Sequence, residues 1–143
     1  MNGKGRKQIY DQLKSQEDPA RLAFLLNNEA LLKDRKKYQY VNLLTAILLA
    51  WLTAIKVLDA MAFGRFDLYW LASLVVPLIN LYVLRKILRF QRIGYQFLFV
   101  ISCLALLRPE NRQLPEIMII VMLLGLSGFL YFKMFPGLIT NEK

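Results

Sequence analysis

No histidine occurs in this 143-residue chain, and Cys103 is its single cysteine, so the side chains that most often do chemistry are nearly absent. Without imidazole there is no His-ligated haem or zinc, no Ser-His or Cys-His nucleophile pair, and no general base of ordinary pKa near 7. Cys103 lies inside an apolar run and reads as a small buried apolar side chain. Phosphate loops, dinucleotide fingerprints, nucleophile elbows, metal-ligand clusters and CxxC pairs are all missing. The expectation is a protein that is not an enzyme and carries no cofactor.

What remains is polar chemistry set in apolar surroundings. Lys56 and Asp59 are three residues apart, the spacing of an ion pair on one helix face, with a proton relay as the sharper alternative. Ser73, Pro77 and Asn80 share a helical face, and Pro77 frees the carbonyl of Ser73. That face serves either as the wall of a polar path or as a set of interhelical contacts. Glu110 and Glu116 flank a turn that also holds Arg108 and Arg112, the pattern of a solvated loop.

The elements that must position these residues follow from hydropathy. The chain is 57% apolar, yet it has 19 Lys plus Arg against 10 Asp plus Glu, crowded toward the N-terminus. Four apolar runs predict transmembrane helices at about 40–62, 68–84, 93–107 and 116–135, joined by short turns. The third has only 15 residues, about 22 Å of helix, so Arg92 and Arg108 must snorkel to the interface or the bilayer thin locally. The expected fold is an all-α integral membrane protein: a four-helix antiparallel transmembrane bundle over 40–143, with residues 1–39 forming a basic cytoplasmic segment.

Cations fall mostly before the first run, between the second and third, and after the fourth; the other side holds only Lys56, Arg65, Arg108 and Arg112. The positive-inside rule then puts both termini in the cytoplasm and suggests a bacterial inner membrane. Aromatic residues mark both interfaces, with Tyr38, Tyr40, Tyr82 and Tyr131 inside and Phe63, Phe66, Tyr69 and Trp70 outside. The net charge of +9 is thereby explained by topology, and no nucleic acid is expected as a partner.

In the N-terminal segment, Asp18 followed by Pro19 reads as an N-cap with proline at the first helical position. Leu22, Leu25 and Leu26 then form the apolar face of an amphipathic helix, and Lys33, Arg35, Lys36 and Lys37 stand before the membrane. These seven residues form the expected lipid or partner surface. Within the membrane, Ala46, Ala50 and Ala54 recur at intervals of four, and Gly125 and Gly128 lie on the last helix, both sets suited to close helix packing. Taken together, the residues point to a non-catalytic subunit or accessory component of a membrane assembly, with membrane lipids and either other membrane subunits or copies of itself as partners. The alternatives are a homo-oligomeric channel or small transporter, and an immunity or defence protein that binds or senses a membrane-active agent.

Overall fold

Helix is the only regular structure beyond one isolated β-bridge in the computed structural model, which describes residues 5–14, 18–62, 68–109 and 113–136. Six helices occur among them: α1 (Arg6–Leu13), α2 (Pro19–Asn28), α3 (Leu32–Ala62), α4 (Leu68–Leu88), α5 (Arg92–Leu107) and α6 (Glu116–Met134). Three segments, Leu32–Ala62, Trp70–Leu88 and Glu116–Met134, are long and apolar enough to cross a membrane, which makes this an integral membrane protein. The fourth apolar helix, α5, has 16 residues and falls short of that length.

Helices α3 to α6 pack as a ring: α3 lies against α4 and α6, and α5 closes the ring by lying against the same two. No backbone contact crosses a diagonal of the ring among the described residues, so the interior is filled by side chains alone. Leu49, Val83, Ile87, Tyr95, Leu98, Leu123 and Leu130 are all at most 1% exposed and make up its centre. The outer faces present Trp51, Leu78, Phe97 and Val121. In water such a surface would be a liability, whereas in lipid it costs nothing.

Two helices run beyond their apolar cores. α3 begins at Leu32, eight residues before the expected start at 40, because Lys33, Arg35, Lys36 and Lys37 are good helix formers and need not enter the membrane. α4 extends through Leu88 rather than ending at 84, and Arg85 and Lys86 in its last turn complement the helix dipole. It stops at Phe90, whose φ of 56° is left-handed. There Phe90 N–H donates to Ile87 O and Gln91 N–H to Lys86 O, the paired bonds of a Schellman ending usually reserved for glycine. The same turn brings α5 so close to α4 that a Cβ on Gly94 would stand 2.8 Å from Lys86 Cβ and 3.0 Å from backbone atoms.

The N-terminal segment folds onto one end of the ring. Asp18 caps α2 by accepting from Ala20 N–H at 3.0 Å, with Pro19 at the first helical position. Extended backbone at Glu29 ends α2, so α2 and α3 are separate helices. α1 packs on α2, and α2 reaches α5. The platform formed by α1 and α2 therefore rests on the ends of the membrane helices.

Candidate functional site

Polar groups inside the ring fall into layers. Nearest the platform, Asn42 on α3 is 2% exposed and Tyr95 on α5 fully buried. The Tyr95 hydroxyl spans the ring's diagonal to donate to Asn42 Oδ1 at 2.6 Å, and Asn42 Nδ2 donates to the Ile87 carbonyl at 3.1 Å. This carbonyl lies in the last turn of α4, where it accepts from Phe90 N–H and uses its second lone pair for Asn42. One triad thus ties three helices together and satisfies its polar groups internally. Thr45 and Thr53, also buried, donate to the carbonyls of Val41 and Leu49 one turn back on their own helix.

About seven residues farther along the helices, roughly 10 Å at 1.5 Å per residue, Asn80 on α4 and Ser102 on α5 face a cavity of about 40 Å³. They are 4% and 3% exposed. Among the described residues neither side chain has a hydrogen-bond partner. Leu49, Leu98 and Leu123 supply the apolar wall, and Lys56 the charged one. The Lys56 ammonium lies 2.8 Å from Glu116 Oε2, with the two side chains 24% and 18% exposed.

A second cluster lies where the platform meets the ring. Arg6, only 6% exposed, sends Nη2 to the Met134 carbonyl at 2.8 Å and toward that of Glu29 at 3.4 Å, and Nη1 to the Pro136 carbonyl at 3.3 Å. Its guanidinium also stacks over the Phe135 ring at 5.2 Å. The end of α6 is where a helix accumulates negative partial charge and orphan carbonyls, so a planar cation with several donors fits it. Burial pushes the Arg6 pKa below its ordinary value; Asp34 opposes this and Arg92 adds to it. The group remains a cation at neutral pH. Around it, Arg92 Nη2 donates to the Tyr131 hydroxyl at 2.7 Å, Ala30 N–H donates to the Phe90 carbonyl, and Asn28 Oδ1 accepts from Ile93 N–H in the first turn of α5.

Several expected contacts are rearranged. Lys56 pairs across the ring with Glu116 on α6 rather than with Asp59, which is exposed on its own helix. An interhelical carboxylate comes closer than one a turn away that points out of the ring. Of the alanines, only Ala46 is buried; Ala50 and Ala54 face outward, because a strict four-residue interval drifts around a helix of 3.6 residues per turn. The buried face of α3 follows Asn42, Thr45, Ala46, Leu49, Leu52 and Thr53 instead. A Cβ on Gly125 would meet nothing within 4 Å, and one on Gly128 would make ordinary contact with Phe99, so the closely packed glycine is Gly94.

Ser73 donates to the Trp70 carbonyl on its own helix, while Pro77 and Asn80 are buried in the ring, so that face is only partly a polar one. Leu22 is buried beneath α2, Leu26 is half-buried and Leu25 is exposed. Arg35 does not stand free beside Lys33, Lys36 and Lys37, which are exposed; it holds the α2–α3 junction through the Ala30 carbonyl at 2.8 Å, Glu29 at 3.0 Å and the Phe90 ring. Cys103 is exposed on the outer face rather than buried. Phe63, Phe66, Arg65, Glu110 and Arg112 lie outside the described residues, as does the side chain of Tyr69.

Sequence inspection missed α1 and Arg6 altogether, since a basic octet followed by a polar stretch carries no apolar periodicity. The signal that was present is Arg6 itself, a cation four residues before Tyr10 in a segment otherwise solvated. Comparison with protein-family models, with curated proteins and with solved structures finds no match to this chain.

Proposed function

We propose that the protein is a non-catalytic, multi-pass subunit or accessory component of a membrane assembly, with its platform as the surface that meets the partner. In this reading all four ring helices cross the bilayer, α5 doing so because Arg92 and Arg108 at its two ends snorkel to the interfaces. Both termini lie in the cytoplasm of a bacterial inner membrane, as the exposed Lys33, Lys36, Lys37, Arg85, Arg89 and Lys133 at the platform end favour.

The observation that carries the reading is apolar surface in the wrong place for lipid. Phe24, Leu25 and Leu32 are 61%, 46% and 57% exposed on the platform. Beside them a groove of about 580 Å³ between α1, α2 and the start of α3 is lined by Ile9, Leu13 and Leu26 together with Lys33 and Asp34. Arg6 holds this platform in place, which a chain needing only to span and turn does not require. A photo-crosslinker at Phe24, Leu25 or Leu32 in native membranes is expected to give one protein adduct of fixed size. Adducts to lipid alone would assign the face to the headgroup layer instead and defeat the proposal.

Among the described residues of a single copy no continuous conduit is present: Leu49, Leu98 and Leu123 line the cavity and belong to the buried apolar core. For this reason the channel reading requires an oligomer whose path runs between copies, and the subunit reading is preferred.

A further inference from the structure

The cavity among Lys56, Asn80 and Ser102 is not accounted for by a partner-binding platform, and its chemistry is specific. An amide and a hydroxyl are each more than nine-tenths buried and open onto one space, and among the described residues no hydrogen bond satisfies either. Burying such groups without partners is costly, so a ring built only for packing would place apolar residues here, as it does at Val83 and Leu130. We propose that this cavity is a water-binding site, in which ordered water bridges Asn80, Ser102 and Lys56 in the middle of the ring.

Three considerations select water over other ligands. A cavity of about 40 Å³ exceeds the roughly 10–15 Å³ that one water needs but falls far below the roughly 300 Å³ of an organic ligand site. The Lys56 cation is already balanced by Glu116, so the site has no net charge with which to hold an ion against its loss of hydration. The amide offers two donors and an acceptor, the hydroxyl one donor and further acceptor capacity, and the ammonium donors beyond the one given to Glu116; these are the several polar partners a buried water requires. The Lys56–Glu116 pair, being partly exposed, marks the side from which water enters. Toward the platform, Leu49 and Leu98 and then the self-satisfied Asn42–Tyr95–Ile87 triad close the site.

X-ray radiolysis of the protein in lipid nanodiscs tests this, because hydroxyl radicals formed from bound water oxidise the side chains beside it. Leu98, which lines the cavity, and Leu130, which does not, are the same residue type at 1% and 0% exposure. Leu98 is expected to oxidise at least fivefold faster than Leu130, and Asn80→Leu with Ser102→Ala is expected to bring the two rates together. Equal rates in the unsubstituted protein would overturn the proposal, as would an excess at Leu98 that survives the double substitution. The comparison in the unsubstituted protein decides the matter even if the double variant does not fold, and Ser102→Ala alone is then expected to lower the Leu98 rate at least twofold.

Discussion

Asn42 and Asn80 are both asparagines buried in the same ring, about 10 Å apart along it, and they have opposite surroundings. Asn42 accepts from the Tyr95 hydroxyl and donates to the Ile87 carbonyl, whereas Asn80 has no partner among the described residues and faces a cavity. The difference lies in what the neighbouring elements supply. At the platform end α4 terminates in a turn whose Ile87 carbonyl accepts from both Phe90 N–H and Asn42, and Tyr95 is long enough to cross the diagonal. In the middle the facing residue is a short serine, and the carbonyl that Pro77 frees on α4 belongs to Ser73, about two turns from Asn80. Burial of a polar residue therefore does not distinguish interhelical glue from a site; the supply of free partners does.

The largest effect is expected where the satisfied region meets the platform. Arg6→Ala should cost about 3 kcal/mol, the upper range for hydrogen bonds to a charged group, because it strips the Met134 and Pro136 carbonyls of their donor. Hydrogen exchange should then show α1 unprotected while α3 to α6 keep their protection; retention of α1 protection would remove Arg6 from its clamping role.

The two asparagines come next. Asn42→Leu should cost about 2 kcal/mol in reversible unfolding, since the buried Tyr95 hydroxyl is left without its partner and the Ile87 carbonyl keeps only Phe90 N–H. Asn80→Leu should change stability by less than about 0.5 kcal/mol, because leucine gains apolar contacts as it displaces water. Equal costs at both positions would erase the distinction between the regions.

The ion pair beside the cavity should contribute less. Lys56→Met and Glu116→Gln, combined in a double-mutant cycle, should give a coupling of about 1 kcal/mol, a partly exposed pair between the surface and buried limits. A matching cycle between Lys56 and Asp59 should give none. The smallest effect concerns glycine. Gly125→Ala meets open space and should raise stability by about 0.5 kcal/mol, whereas Gly94→Ala should lower it through contact with Lys86 and the α4 backbone. Thermal melts in the same detergent compare the two.

Much of the architecture could be read from residue order. Long charge-free runs at 41–55 and 117–132 leave no option but helix in an apolar medium, because each backbone group must find its partner within its own segment. Asp18–Pro19 predicted the start of α2 because a cap is local chemistry. The candidate site was legible only as a set of residue types. Ser73, Pro77 and Asn80 share a helical face in sequence, but Ser73 turns to its own backbone while Asn80 joins Ser102 from another helix. Likewise the pairing of Lys56 depended on which carboxylate the ring brought near, sixty residues away.

Hydropathy, charge asymmetry and caps thus determine that this chain is helical, that it belongs in a membrane and where the helices other than α1 begin and end to within about two turns, since each of these is settled by neighbours in sequence. Which polar residues are spent on one another and which are left facing a cavity is a property of how the helices close on themselves. Arg6 finds the end of α6, Tyr95 finds Asn42, and Asn80 finds no group among the described residues. The energy of a buried polar group depends on a partner at about 3 Å, and distances of that kind between separate helices exist only after the ring has formed.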